Sequence, residues 1–461
     1  MRRRAAVAVV VVVLAAACER APSTGSDGSV DPATGDVRHV VLDTDLAFDD
    51  VMALLYLLRR DDVILDAVTI AGTGEVHCDP GVQNARALLT LGGSPDTPVA
   101  CGRETPLAGT NAFPDEWREA SDDLSGIDLP VPAGEPDQRD AVDLLLEMLG
   151  GDAALLTLGP LTNVAEALRR DPGLAERVPT FFAMAGAIDV DGNAPDGESE
   201  YNVWADPLAA AEVVDGMAPT LVPLDATNDV PFTPFFAQTL DEHRTTPEAE
   251  AVAAMIAENE AIVAGSGYSF WDTLATALLL EPDLATWNEA SIEVDPSGVG
   301  GGQTNRLAGG RRVRFAGGVP DPLEFEREYL STLTGERIEQ VRPDPSISVT
   351  FDGATCRVSA ETLGAGTQIV SFATEGGPGS TAVVVQLSDR LTYEELVAWL
   401  GPPGAKLPEE RRPAPLKAVG WVEGGIGQAQ VVEGTIVVAC LDEADTRHPR
   451  VWLSSPIDVG D

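Results

Sequence analysis

Residues 40–58 read Val-Val-Leu-Asp-Thr-Asp-Leu-Ala-Phe-Asp-Asp-Val-Met-Ala-Leu-Leu-Tyr-Leu-Leu. An apolar strand (Val40, Val41, Leu42) runs into four carboxylates, Asp43, Asp45, Asp49 and Asp50, and an apolar helical pattern follows at once. Further strand candidates lie at 63–70, 98–101, 153–158, 180–184 and 220–224, and the first begins at Val37. Helical stretches fall between them, at 49–59, 82–91, 141–149, 161–169 and 207–214. Short apolar strands separated by helices predict an α/β fold, a mainly parallel sheet with helices on both faces. In such sheets ligands bind beyond the carboxyl ends of the strands, which is where these aspartates fall.

The chain has 461 residues, and acidic side chains outnumber basic ones by 74 to 30, a formal charge of −44. A nucleic-acid partner is excluded on this balance, since a polyanion needs a basic footprint. Solubility and cation binding are favoured. Beyond about Gly335 the pattern changes. Pro343-Asp-Pro345 marks a boundary, followed by short alternating runs at 347–351, 368–372, 381–387, 417–422 and 434–440, with one helix at 393–400. This predicts a small β-sandwich-like domain over 345–461.

Arg2, Arg3 and Arg4 precede thirteen apolar residues, Ala5 to Ala17, too short for a comfortable membrane span. The run ends at Cys18 and a polar stretch follows. The segment resembles a bacterial lipoprotein signal: a signal peptide at 1–17, a lipidated Cys18 and a flexible linker over 18–36. Its rival is ordinary cleavage that releases a soluble protein. Either way the protein is exported, and the only membrane contact expected is an N-terminal lipid anchor facing outside. Setting Cys18 aside leaves Cys78 and Cys101 close in sequence, and Cys356 and Cys440 near the far end. Two disulfides suit an oxidising compartment, although sequence alone fixes neither pairing.

The aspartate cluster has three readings. Helix N-capping by Asp49 and Asp50 accounts for one or two of the four. An aspartate nucleophile for phosphoryl transfer wants Thr or Val where Ala47 stands. The third is a hard cation held by several oxygens, with water as the reagent; like charges this close are tolerable only with a cation or protons among them. An EF-hand is excluded, because Phe48 occupies the place of its glycine.

The stretch D-T-D-L-A-F-D-D-V-M-A resembles the signature of the inosine–uridine-preferring nucleoside hydrolase family. Leu158-Gly-Pro-Leu-Thr-Asn163, Glu200-Tyr-Asn-Val-Trp-Ala-Asp-Pro207 and Leu224-Asp225-Ala-Thr-Asn228 resemble three further family segments, in the family's order. The resemblance covers 37–336 and implies an open Rossmann-like catalytic domain that hydrolyses N-ribosidic bonds with Ca2+. It implies that Asp45 binds calcium and acts as general base on its water. Asp50, the carbonyl of Leu158 and Asp272 would complete the metal ligands. Asp49, Glu200 and Asn202 would hold ribose hydroxyls, with Met184 beneath the sugar and Asn193 near the 5′-hydroxyl. Asp43 would support the cluster from behind. The chemistry suits these residue types: an oxocarbenium-like transition state needs an activated water and nearby negative charge.

This sequence departs from the family in places. Trp271 stands where many members have histidine, and resembles the purine-preferring branch, in which aromatic stacking assists the departing base. Trp117, in the loop 111–118, is a candidate for the opposite face. Ala71-Gly72-Thr73 replaces Ala-Gly-Asn, so Thr73 is expected to contact ribose with a shorter reach. Leu46 stands in place of proline. Only four histidines exist, and His77 alone falls near the expected site. The reading is therefore a calcium-dependent ribonucleoside hydrolase with purines favoured. The alternatives are a hydrolase of another N-riboside and a non-catalytic extracytoplasmic nucleoside-binding lipoprotein. The resemblance also admits a homo-oligomer.

Overall fold

The structure is a computed structural model that describes residues 37–133, 137–259, 268–297, 301–341, 345–374, 380–388, 391–406, 417–422, 425–442 and 449–460. The expected signal peptide, Cys18 and linker lie outside the described residues. Nine strands build the first sheet: β1 (Arg38–Thr44), β2 (Val63–Ile70), β3 (Val99–Cys101), β4 (Ala154–Thr157), β5 (Phe181–Met184), β6 (Thr220–Val222), β7 (Thr286–Val294), β8 (Thr304–Arg306) and β9 (Arg311–Gly318). Their order is β3-β2-β1-β4-β5-β6-β9-β7-β8. Every pair from β3 to β9 is parallel; β7 and β8 extend the edge antiparallel. The fold class expected from the strand–helix alternation is the one observed.

The central strand shows why its sequence is apolar throughout. Val40 and Leu42 enter one core cluster while Val41, between them, enters the cluster on the opposite face. A strand covered on both faces cannot alternate with polar residues. The chain leaves β1 toward β2 and β3, then crosses back to place β4 on β1's other side. This reversal opens a crevice at the carboxyl ends of β1 and β4. Asp45 and Leu158 are the residues that emerge there.

The helix Phe48–Leu58 begins four residues after β1 and is buried along all but its last residue. It packs against the helix Trp271–Leu280. Asp49 and Asp50 lie in the first turn of one helix and Asp272 in the first turn of the other. Two helix N-termini thus converge on the acidic cluster, and each contributes partial positive charge.

The C-terminal β region is present, with strands Ile347–Phe351, Gly366–Thr374, Ser380–Gln386, Lys417–Val422 and Gly434–Asp442 close to their expected bounds, and the helix Tyr393–Leu400. Its strands form one hydrogen-bonded network. Cys356 and Cys440 sit on strands six places apart in that order, a distance of roughly 29 Å on a flat sheet. Their Cα atoms are 5.7 Å apart in a disulfide, so the sheet folds over its own core. Cys78 and Cys101 form the second disulfide.

Candidate active site

A cavity of about 540 Å³ opens at the crevice between β1 and β4. Its floor is acidic. Asp45, Asp49, Asp50 and Asp272 all line it, and all four are buried. Oxygens of Asp49, Asp50 and Asp272 lie within 4.8 Å of one another. That spacing matches oxygens on one calcium-sized coordination sphere, whose radius is about 2.4 Å. Asp272 Oδ1 is buried without a hydrogen-bond partner. The donor set therefore fits a hard divalent cation. The structure brings Asp49, expected on ribose, into the closest triple, while Asp45 stands beside Asp50.

Three of the floor carboxylates, Asp45, Asp49 and Asp50, are held by donors close around them. Thr44 Oγ1 donates to Asp50 Oδ1, and the Ala47 N–H donates to Asp50 Oδ2 at 3.1 Å. The Tyr268 hydroxyl and the Asp272 N–H each donate to Asp49 at 3.1 Å. Asp45 Oδ2 accepts from the Glu75 N–H at 3.0 Å. Leu46 takes the left-handed conformation, φ 54°, which proline's ring forbids. The change from proline is thus a different backbone path beside Asp45, more than a mild replacement. Asp43 is fully buried and accepts from Thr69 Oγ1 at 2.5 Å and Asn163 Nδ2 at 2.8 Å.

Burial and the neighbouring acids hold these groups toward their neutral forms. Burial pushes Asp43 up to about 7, and burial together with Asp50 pushes Asp49 up to about 7. Asp45 and Asp272 are raised well above the carboxylate range, by burial first and then by the surrounding aspartates. Such crowding of acids is stable only with protons or a cation among them.

The next wall carries groups suited to a sugar. Glu200 caps the short helix Tyr201–Ala205, accepting from the N–H groups of Asn202 (2.7 Å), Gly186 (3.1 Å) and Val203 (3.2 Å). Burial raises it to about 7 against the pull of these bonds. Asn202 Nδ2 donates to the Leu158 carbonyl at 2.8 Å and the Met184 carbonyl at 3.2 Å. Leu158, Met184 and Asn193 also line the cavity, and Asn193 Oδ1 accepts from the Tyr201 N–H at 3.0 Å. Asp225, from the fourth motif, works at a distance: its carboxylate holds the N–H groups of Ile188 and Asp189 in the loop beyond Met184.

Aromatic side chains form the outer walls. Trp271 meets Tyr268 edge-on at 4.6 Å, and its buried indole N–H has no partner. Trp117 lies on the helix Asp115–Asp122 rather than in a loop, because Pro114, Asp115 and Glu116 start a helix there. It contacts Tyr201 at 5.2 Å, and Phe113 stacks on Tyr201 at 5.0 Å. All of these line the cavity.

Thr73, expected on ribose, does not line it, and neither does His77, the one histidine near the site. Thr73 is buried with its hydroxyl against Thr162 Oγ1 at 2.9 Å, and Thr162 donates to Asp206. His77 is held by Asp122 at 2.7 Å and accepts from Arg118 Nε at 3.2 Å. The residues that sequence reading missed are Glu75, Phe113, Tyr201 and Tyr268. Tyr201 and Tyr268 adjoin recognised motifs; Glu75, two positions beyond Thr73, had no such signal.

The comparisons agree with this geometry. Residues 40–325 match the family model described as inosine-uridine preferring nucleoside hydrolase. A probable uridine nucleosidase of Oryza sativa subsp. japonica is 29% identical over 319 residues, covering 63% of this chain and 96% of the relative. A pyrimidine-specific ribonucleoside hydrolase of Shewanella woodyi is 31% identical, covering 57% and 85%. Among solved structures, the inosine-uridine preferring nucleoside hydrolase of Bacillus anthracis superposes with a TM-score of 0.56 at 25% identity, covering 64% of this chain and 99% of that one. A purine-preferring ribonucleoside hydrolase of Gardnerella vaginalis gives 0.57 at 24%, covering 65% and 98%, and so speaks to the fold. With more than half its length matched and the acidic floor at the predicted strand ends, this chain belongs to the inosine-uridine preferring nucleoside hydrolase family.

Proposed function

We propose that the protein is a calcium-dependent hydrolase of ribonucleosides that releases free base and ribose, with purine nucleosides favoured. The observation that carries this is one cavity in which four aspartates, the polar side chains of Glu200 and Asn202 and two aromatic walls converge. Asp49, Asp50 and Asp272, with Asp45 and the Leu158 carbonyl, would hold the cation. When bound, the ion neutralises the acidic floor and makes water more acidic. With the floor so neutralised, Asp45 takes the water's proton as its oxygen attacks C1′. Glu200, Asn202 and Asp49 hold ribose hydroxyls and fix the sugar over Met184. Their negative charge stabilises the cationic sugar as the C1′–N bond breaks. Trp271 and the Trp117–Tyr201 wall offer flat faces to the base, and the free Trp271 N–H is available to it.

The two disulfides support export to an oxidising compartment, and lipidation of Cys18 is part of the proposal. Mass spectrometry of the membrane fraction tests that modification; an unmodified soluble N-terminus would overturn it. The main test is release of free base from a nucleoside panel, with calcium and after chelation, beside Asp45→Ala. Calcium-dependent release lost in Asp45→Ala is the expected result. Saturable binding with no product from any nucleoside would replace the hydrolase with a binding protein.

A further inference from the structure

The helix Asp115–Asp122 turns one face to the loop after β2. Arg118 and Ser121 are its buried members, three positions apart and so on the same side. Arg118 is only 6% exposed, and all three of its guanidinium nitrogens donate to that loop. Nη1 donates to the Gly74 carbonyl, Nη2 to the Gly72 carbonyl at 3.1 Å and Nε to His77 Nε2 at 3.2 Å. Ser121 Oγ donates to Glu75 at 3.0 Å, and Asp122 accepts from the His77 N–H at 2.8 Å. Arg118 does not line the cavity, so any part it plays in the reaction passes through the loop.

That loop holds Asp45. The Glu75 N–H donates to Asp45 Oδ2 at 3.0 Å, and the Val76 N–H donates to the Asp45 carbonyl at 3.0 Å. The Gly74 carbonyl and the Glu75 N–H belong to one peptide group. That group is planar, and its C=O and N–H point in opposite directions. Arg118 therefore grips one end of a plane whose other end grips Asp45. Gly72 and Gly74 give the segment the freedom to turn this plane over. A reversed plane would aim its carbonyl, not its N–H, at the Asp45 carboxylate. A charged donor on the carbonyl bars that reversal and polarises the N–H toward Asp45.

We propose that Arg118 is a positioning residue for the reaction: by fixing the Gly74–Glu75 peptide it holds the Asp45 carboxylate where it takes the water's proton. This rests on the hydrolase reading above and adds to it a residue outside the cavity. The helix that carries Arg118 also presents Trp117 to the cavity, so one element sets both the general base and an aromatic wall.

The test has a kinetic arm and an exchange arm, both on the full chain with calcium. Arg118→Met keeps an unbranched stem and removes the donors. Its kcat for the best nucleoside of the panel is expected to fall at least about tenfold with KM within about twofold, because placement of the base counts only in the transition state. In an Asp45→Asn background the same change should lower the residual rate by less than about twofold, since no base is left to place. Arg118→Lys keeps the charge but not the fork that spans two carbonyls, and its kcat should fall at least about threefold. In the second arm, hydrogen–deuterium exchange read by mass spectrometry should run at least about tenfold faster over residues 71–77 in Arg118→Met, with the helix Phe48–Leu58 unchanged. An unmoved kcat, a loss carried wholly by KM, an equal fall in both backgrounds or unmoved exchange would overturn the proposal. If Arg118→Met does not fold, Arg118→Lys decides by the same comparisons. Faster exchange over 71–77 with no riboside cleaved by the wild type would sink the hydrolase reading and leave Arg118's hold on the loop standing.

Discussion

A Cβ built on Gly74 falls 2.1 Å from Asp45 Oδ2, and one on Gly159 falls 2.9 Å from the Asp45 Cβ. Neither distance is tolerable, so Asp45 can occupy its place only because both neighbours lack a side chain. Gly74→Ala must therefore push Asp45 aside. Since general-base placement is worth about 10²-fold or more, kcat should fall at least about 100-fold in Gly74→Ala, as in Asp45→Asn. Circular dichroism should show both variants folded. A Gly74→Ala enzyme near wild-type rate would show that Asp45 is not the base. Trp271 makes a second residue-level prediction. If its ring holds the base, Trp271→Ala should lower purine kcat/KM about tenfold or more, with Trp271→Phe between it and the wild type. Unchanged purine turnover in both would remove it from the base site. The buried acids make a third. Asp43 and Glu200, both raised to about 7 by burial, favour the fold when protonated. Their contribution is full below the unfolded value of about 4 and is lost as pH rises through about 7. The chelated protein should thus lose thermal stability across that window. Calcium should restore it, and by more at the upper end, because fewer protons then compete for the floor. A chelated protein that gains stability from pH 4 to 7 would contradict the burial of these acids (a window set by the ordinary and shifted carboxylate values).

At the scale of elements, the strands that proved legible are those rich in aliphatic and β-branched residues, whether covered on both faces like β1 or on one like Ile347–Phe351. Val63–Ile70 was found at its true bounds, and β1 starts one residue later and ends two residues later than its expected span, because runs dominated by aliphatic and β-branched residues have few other uses. The antiparallel edge was not found. In Thr286–Val294 only Ala290, Ile292 and Val294 are buried, and Arg311–Gly318 carries arginine at three of its first four positions. One-sided strands of this kind read as polar surface. The site divides in the same way. Asp45, Asp49, Asp50, Glu200, Asn202 and Asp272 sit at strand ends and helix starts, where the local pattern fixes direction. Thr73 and Glu75 share a loop without periodicity, so nothing in the sequence told which would face the cavity. That loop is braced by Cys78–Cys101, which ties the start of the helix Cys78–Leu91 to β3 across 23 residues. Closing a loop of that size stabilises by about 3 kcal/mol in the chain-entropy account. The double variant Cys78→Ser with Cys101→Ser should lose roughly that much in denaturant unfolding. Undiminished stability would mean that the loop's hydrogen bonds to Arg118, Ser121, Asp122 and Thr162 hold it without the disulfide.

On the scale of the whole molecule, the chain separates into regions that do not share a core. The first cluster reaches its last member at Val341, and the third begins at Ile347. No residue of the two C-terminal clusters belongs to the two that sandwich the first sheet. Every residue lining the cavity precedes 273. A region with its own core and no contribution to the cavity lining is expected to fold by itself and to be dispensable for chemistry. A chain ending at Pro345 should therefore unfold in one cooperative transition and release base within about twofold of the full chain's rate, while residues 345–461 made alone should show their own transition. Calorimetry of the full chain should then resolve two transitions, only the first of which shifts when calcium is added, because the acidic floor lies entirely in the first region. If truncation removes turnover while leaving that first transition intact, the β region acts on the catalytic domain in some way other than stabilising it. If truncation abolishes the transition itself, the two regions are one folding unit, and the break in core membership at 341–347 does not mark a domain boundary.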